Sequence, residues 1–298
     1  MSNINSAFLQ KPASRDESFV RVVASNGNLG KRPWFRARTG TALAHFARDK
    51  ALAFILPALL LVAWEVGSRM GWFSSVLLPS PERTFGTLLD LLRSGDLELS
   101  LKITLGRVIA GFLVGSIAGF VVGAAMALFK SVDRYAGPFF HALRQVPIYG
   151  WMPFLILWLG VGEVFKVAFI AVGAFYPLVL NTYEGIKAVS PHHLEVASVF
   201  EYGKFKLFRK VIFPAALPSI FTGIRFGLGH CWMLVIGAEF LASTSGIGYL
   251  MAWSRTLMQS DVVISCIFTV GAIGFLMDCL IRGLEHHLLR WRRFTLSS

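Results

Sequence analysis

Six apolar runs, near residues 51 to 70, 103 to 129, 136 to 160, 165 to 183, 215 to 242 and 262 to 281, narrow the folds open to this chain more than any motif. Each approaches the roughly 20 residues that a helix needs to cross a bilayer core. Lipid offers no hydrogen bonds, so the backbone of each run must pair within itself, which predicts helices. The expected fold is all-α and integral to the membrane, with about six transmembrane helices. A composition of 55% hydrophobic and 15% charged residues, with a mean hydropathy of +0.60, does not suit a soluble domain.

The net charge of +12 first suggests nucleic acid, but its distribution points elsewhere. Six crossings put residues 1–50, the segment near 130–134, residues 184–213 and residues 282–298 on one side. These carry twenty Lys and Arg against eight Asp and Glu. The opposite side carries five basic residues against six acidic ones. Basic residues collect in cytoplasmic loops, so both termini are expected in the cytoplasm and the charge reports topology. A nucleic-acid face, with basic and aromatic readers clustered together, is excluded on this pattern.

Residues 1–50 mix Ser, Asn and Gly with scattered charges, as poorly ordered tails do. The first apolar run follows this tail, which does not fit a cleaved signal peptide. Within the tail "GNLGKR" faintly echoes a phosphate loop, yet it lacks the first glycine and has Arg32 where Ser or Thr would hold magnesium. Cys231, Cys266 and Cys279 lie in apolar runs without metal-ligand spacing and read as small core residues.

In the first outer loop, "LPSPERTFGTLLDLLRSGDLELS" offers Ser80 as a cap, Pro81 at the first helical position and leucines at helical spacing. A short amphipathic helix packing over the bundle is expected. The second run carries Gly111, Gly115, Gly119 and Gly123 along one helical stripe. Each helix glycine costs about 1 kcal/mol relative to alanine, so close approach of a neighbouring helix must compensate. Arg107 lies on the same stripe and should face protein. Pro147 and Pro153 predict a break or kink in the third run. Non-helical backbone at that depth must be buried in protein or line a cavity, which makes this segment a candidate wall of a solute path.

Ionisable residues inside the runs are candidates for function. Glu65 with Arg69, and Asp278 with Arg282, are four apart and read as local pairs. Arg225, His230 and Glu239 share the fifth run and are, with the two prolines, the translocation-path candidates. Arg225 and Glu239 stand about 21 Å apart along a helix and cannot pair with each other. An acid–base enzyme built on His230 and Glu239 is disfavoured, because they face opposite sides of a helix and no nucleophile or metal set accompanies them.

Between the fourth and fifth runs lies "EVASVFEYGKFKLFRKVIFPAALP", a polar stretch in an apolar chain. Ser190 can cap a helix, Pro191 opens it, and Gly203 permits a turn before a second basic piece leads to Pro214 and Pro218. A helix–turn–helix across the inner membrane surface is expected. A solvated basic loop would explain the charge but not the spacing of Glu195, Ala197, Ile212 and Pro214.

That spacing resembles the EAA loop of ABC importer permeases, a pattern of Glu-Ala-Ala, three residues, Gly, then further on an aliphatic residue and Pro. Glu195 and Ala197 match, Val196 replaces the middle alanine, Ile212 matches the aliphatic residue and Pro214 the proline. The family glycine falls on Glu201, a departure, with Gly203 two residues later. "LPSPERTF", "WMPFLILWLGVGEVFKVAFIAVGAFYPLVLNTYEGI" and "GAEFLASTSGIGYLM" are similar to permeases for nitrate, taurine, aliphatic sulfonates, bicarbonate and pyrimidine precursors.

The resemblance implies a type I ABC importer permease fold over residues 51–293, with a cytoplasmic coupling loop at about 184–213 and a tail over 1–50. It implies that Glu195, Val196, Ala197, Phe200, Glu201, Gly203 and Pro214 couple the chain to an ATPase. ATP and magnesium would be bound by that partner, with no cofactor in this chain. The implied assembly is a second permease subunit as a homodimer, two cytoplasmic ABC ATPases and a periplasmic or extracellular solute-binding protein, in a bacterial inner membrane. The solute is expected to be an oxyanion, a sulfonate such as taurine ahead of nitrate, bicarbonate or a pyrimidine, with Arg107, Arg144 and Arg225 available to offset its charge. A secondary transporter or channel is the competing class, set against by the lack of an evident internal repeat.

Overall fold

The computed structural model describes residues 55–72 and 74–288. The expected tail, residues 1–50, and the final residues of the expected permease domain lie outside them. The chain divides into two compact units, residues 1–60 and 61–298, and the packing below concerns the second. The backbone is helical over residues 55–69 (α1), within the expected first span.

After α1 come α2 (Pro81–Ser94), α3 (Asp96–Leu128), α4 (Lys130–Leu143), a 3-10 turn (Ile148–Trp151), α5 (Met152–Leu159) and α6 (Glu163–Lys187). Then follow α7 (Pro191–Val199), α8 (Lys204–Ala242), α9 (Ile247–Thr256) and α10 (Ser260–Leu288). All regular secondary structure among the described residues is helical, and α3, α6, α8 and α10 are each long and apolar enough to cross a membrane. The fold is that of an all-α integral membrane protein.

Helix α6 is the centre of the bundle. Its inner residues Ile170 and Ala174 pack with Val108 of α3 and with Cys231 and Val235 of α8 in one buried cluster. The α3–α6 seam is set by the glycine stripe. A Cβ built on Gly111 would fall 2.6 Å from Ile170, one on Gly115 would fall 2.1 Å from the Ala171 carbonyl oxygen, and Gly119 and Gly123 meet Phe175 and Val179 in the same way. The helices touch backbone to backbone, which dispersion favours in lipid where no hydrophobic effect drives helices together. A second seam, between α6 and α8, uses Gly173, Gly185, Gly223 and Gly227. Those glycines are scattered over two helices and show no single-helix stripe in the sequence.

Helix α2 begins as its composition dictates: the Ser80 hydroxyl accepts from the Arg83 N–H at 3.3 Å, and Pro81 opens the first turn. Leu88 and Leu91 pack over Leu97, Ile247 and Cys266. Arg83 and Thr87 both donate to Asp261 at the start of α10, which pins α2 across the bundle.

The third apolar run is not one helix. It divides into α4 and α5 at residues 144–147, with Pro147 starting the 3-10 turn and Pro153 inside the first turn of α5. Proline's missing N–H is harmless in a first turn, so only Pro147 coincides with the break. Cys231 and Cys266 are buried, whereas Cys279 is exposed on α10 and is not a core residue.

Candidate functional site

The EAA-like stretch forms α7, a turn and the start of α8. Pro191 opens α7, but Ser190 supplies only its backbone carbonyl, which accepts from His193 N–H at 3.1 Å; its side chain makes no cap bond. At the other end the Tyr202 N–H donates to the Ala197 carbonyl at 3.3 Å and the Glu201 N–H to the Ser198 carbonyl at 2.9 Å. These two bonds make a Schellman motif, whose C′ residue must be left-handed. That residue is Glu201, with φ +49. Gly203, by contrast, has φ −60 and ψ 157, which any residue adopts.

The turn therefore lies at Glu201, the position of the family glycine, and not at Gly203 as expected from its identity. A glutamate there is held in a conformation that costs an L-residue about 1–2 kcal/mol. Glu201→Gly is expected to stabilise the α7 C-terminus by about 1 kcal/mol, less what glycine adds to unfolded-state entropy. Gly203→Ala, where a Cβ meets nothing within 4 Å, should change little. Amide exchange of residues 195–204 measures this, and faster opening in Glu201→Gly would contradict it.

Beyond the turn the second basic piece is not a separate surface helix. It runs without interruption into the fifth span as α8, 39 residues in all. Pro214 lacks an N–H and its ring crowds the carbonyl four residues back. The chain adapts with a π turn over Phe208–Ile212, in which Phe213 N–H reaches back to the Phe208 carbonyl. Pro214 thus shapes the joint between surface and span.

Ala197 is buried against this joint, while Val196, Val199, Phe200 and Phe205 are exposed, by 44%, 82%, 66% and 77%. Glu195 is also exposed, its carbonyl accepting from the Ser198 hydroxyl at 2.6 Å. A cleft lined by His192, Val196, Phe200, Tyr202 and Lys210 separates α7 from α8. Such a surface offers apolar knobs and the carboxylates of Glu195 and Glu201 to whatever covers it.

A second site lies at the other end of the bundle. Arg107 on α3 donates from Nε and Nη2 to both Glu163 carboxylate oxygens at 2.7 and 2.6 Å. Its Nη1 donates to Glu239 Oε1 and to the Ser245 carbonyl, both at 2.7 Å. Glu239 is fully buried and also accepts from Thr104 Oγ1 and from the Gly248 N–H at 2.9 Å. Gly246, at φ +101, lies against that carboxylate so closely that a Cβ would fall 2.3 Å from it. Lys166 is buried too and donates to Glu163 at 2.8 Å. The network is charge-balanced and joins α3, α6, α8 and the loop before α9.

The path candidates separate accordingly. Glu239 is spent in this network, and Arg225 donates to Asp278 at 2.9 Å, which Arg282 also contacts at 2.7 Å. Glu65 and Arg69 form the expected local pair. Arg107 is buried in these contacts, whereas the Arg225 side chain remains 38% exposed beside its ion pair. His230 projects from a different face of α8, its Nδ1 against the Phe226 carbonyl at 2.8 Å. Two turns outward on that face, Gly237 receives the Tyr149 side chain from the turn after Pro147. The turn after Pro147 thus packs on the same face of α8 as His230, two turns further along the helix. Glu163, Lys166, Thr104 and Ser245 escaped sequence reasoning, since Glu163 and Lys166 lay in what reads as an outer loop. Among the described residues no three His, Cys, Asp or Glu side chains gather as metal ligands.

With this geometry in view, comparison with known proteins is specific. Residues 111–290 match the family model for the inner membrane component of binding-protein-dependent transport systems. SsuC of Bacillus subtilis, a permease protein named for aliphatic sulfonates transport, is 38% identical over 80% of this chain and 86% of its own length. SsuC of Escherichia coli K12, named likewise, is 36% identical over 80% and 90%. CmpB of Synechococcus elongatus, a bicarbonate transport system permease protein, is 31% identical over 82% and 92%.

Proposed function

Because the chain belongs to the family of inner membrane components of binding-protein-dependent transport systems, we propose that it pairs with a second copy to form the path of an ATP-driven importer for a small oxyanion. An aliphatic sulfonate such as taurine is the favoured solute, ahead of bicarbonate, nitrate or a pyrimidine. The relatives named for aliphatic sulfonates share 38% and 36% identity with it, the one named for bicarbonate 31% and the one named for taurine 28%. Both termini lie in the cytoplasm in this reading, and an external solute-binding protein delivers the solute.

One observation carries the coupling role: α7 is tied by the Schellman turn at Glu201 to a helix that continues without a break into the membrane span. Glu195, Val196, Ala197, Phe200, Glu201, Gly203 and Pro214 act together in this proposal. Val196 and Phe200 enter a groove on the ATPase, Glu195 adds polar register, and buried Ala197 holds α7 to α8. ATP and magnesium bind the two ATPases, whose closure displaces α7. The short turn leaves little slack, so the displacement tilts α8 and shifts the equilibrium between inward-open and outward-open states.

The test is taurine uptake into proteoliposomes holding the permease, its ATPase and the loaded binding protein. Uptake should require ATP, and uptake driven by an ion gradient without the ATPase would overturn the proposal. Glu195→Lys should lower uptake about tenfold or more, as reversing a charge at a docking surface does, while membrane insertion is unchanged. Full uptake and full ATPase binding by that variant would remove Glu195 from the interface.

A further inference from the structure

The exposed face of the α4–α5 break carries cations that no carboxylate neutralises. Depth along the bundle can be read from ring contacts with α6. Asp133 near the start of α4 accepts from Tyr183 and Lys187 at the C-terminal end of α6, the cytoplasmic end in the importer reading. Phe140 lies 6.4 and 5.7 Å, centroid to centroid, from Phe175 and Tyr176, the middle of the 25-residue α6. Tyr149 lies 5.7 Å from Phe169, further toward the other side. His141 and Arg144 therefore lie level with the middle of α6, a helix long and apolar enough to cross a membrane, and both are exposed, as are Gln145, Val146 and Pro147.

Hydrocarbon does not tolerate this combination. An arginine, a histidine and a stretch of non-helical backbone at mid-depth must meet water or protein. Among the described residues neither His141 nor Arg144 has a carboxylate partner, in contrast to Arg107 and Arg225. His230 belongs to the same level, since its neighbour Cys231 reaches the Ile170 carbonyl and Gly173 of α6 lies against Leu234. A cleft of about 350 Å³ continues from His141 along α4 toward the cytoplasmic end, lined by Arg134 and Lys130. Its one acid, Asp133, already accepts from Lys187 and Tyr183.

We propose that His141, Arg144 and His230 form a polar belt at mid-depth that contacts the anionic group of the transported solute, with Arg134 and Lys130 marking its exit to the cytoplasm. The proposal rests on the importer reading above and adds to it the residues that meet the solute. Arg144 offers a planar fork that suits the paired oxygens of a sulfonate or a carboxylate-like anion. The exit cations lie in the aqueous end of the cleft, where they hold the anion only weakly. A solute site must release what it binds, and a graded series of cations fits that need better than one deep ion pair.

The deciding experiment uses the complete complex in proteoliposomes. Arg144→Cys and His141→Cys, each with Cys279→Ser to remove the exposed native thiol, are treated with a membrane-impermeant sulfonatoethyl thiosulfonate reagent. Both positions should react from water in at least one nucleotide state, and excess taurine should slow the reaction. No reaction in any nucleotide state places these residues against protein or lipid and overturns the belt. In parallel, Arg144→Gln should lower taurine uptake about tenfold, as loss of a charged hydrogen bond does, while binding-protein-stimulated ATP hydrolysis persists and Arg144→Lys keeps most of the uptake. Unchanged uptake in Arg144→Gln overturns the anion contact. If the parent complex takes up no sulfonate at all, the solute assignment fails, and thiol modification still decides whether the belt lines an aqueous path.

Discussion

A Gly115→Leu chain is expected to yield almost no monodisperse protein in mild detergent. The reason is visible at the first added atom, since even a Cβ would stand 2.1 Å from the Ala171 carbonyl oxygen and 2.9 Å from its Cα. Those are backbone atoms of the central helix, so no rotamer change relieves the contact. Helices α3 and α6 must part, and with them the buried set Val108, Ile170, Ala174, Cys231 and Val235. Overpacking of this kind costs typically about 1–3 kcal/mol for a methylene or two, and a leucine exceeds that. Gly106→Ala is the control: it lies on the same helix, meets nothing within 4 Å, and should be neutral or gain up to about 1 kcal/mol from helix propensity. Equal yields of the two variants would show that the stripe does not hold the helices together.

Removing the charge of Arg107 should be nearly as damaging. Arg107→Met leaves the carboxylate of Glu239, 0% exposed, with Thr104 and the Gly248 N–H but no cation. Stranding one member of a buried pair typically costs about 3–5 kcal/mol. Arg107→Lys should fall between, because a single ammonium cannot bridge Glu163, Glu239 and Ser245 at once. The double variant Arg107→Met, Glu239→Gln should recover part of the loss, and the recovered fraction is the coupling between the two. Thermal midpoints in detergent report it. A double variant no better than Arg107→Met would mean that Arg107 acts mainly through Glu163, whose side chain is 62% exposed.

Much of this arrangement was legible in the chain. The apolar runs foretold helices because lipid leaves no other way to pair backbone groups. The glycine stripe foretold a close helix neighbour, and Ser80 with Pro81 foretold where α2 begins, since both are local effects. Glu195, Ala197, Ile212 and Pro214 marked the joint between α7 and α8 through their resemblance to the EAA loop. Glu201 was different. Glycine's freedom suggested a turn at Gly203, yet the hydrogen bonds of the α7 C-terminus place it two residues earlier. Turn position follows where the helix runs out of partners, and a glycine nearby need not be the residue that turns.

The ionisable residues show the other limit. Glu239, His230 and Arg225 on one helix looked alike as candidates for a path. Their fates differ because partners 132 and 53 positions away in sequence claim two of them and leave the third. No periodicity records such pairings.

What the sequence determined by itself was the class of molecule: a multi-spanning helical protein, its charge asymmetry, its packing stripe and its EAA-like stretch. Each of these follows from interactions between residues close in the chain, or from the solvent each segment must face. The tertiary structure alone decided which charges are paired and which stay open, and that α7 is joined to a single continuous span. These depend on which helices come together around α6, and that choice is made by close packing across long separations in sequence.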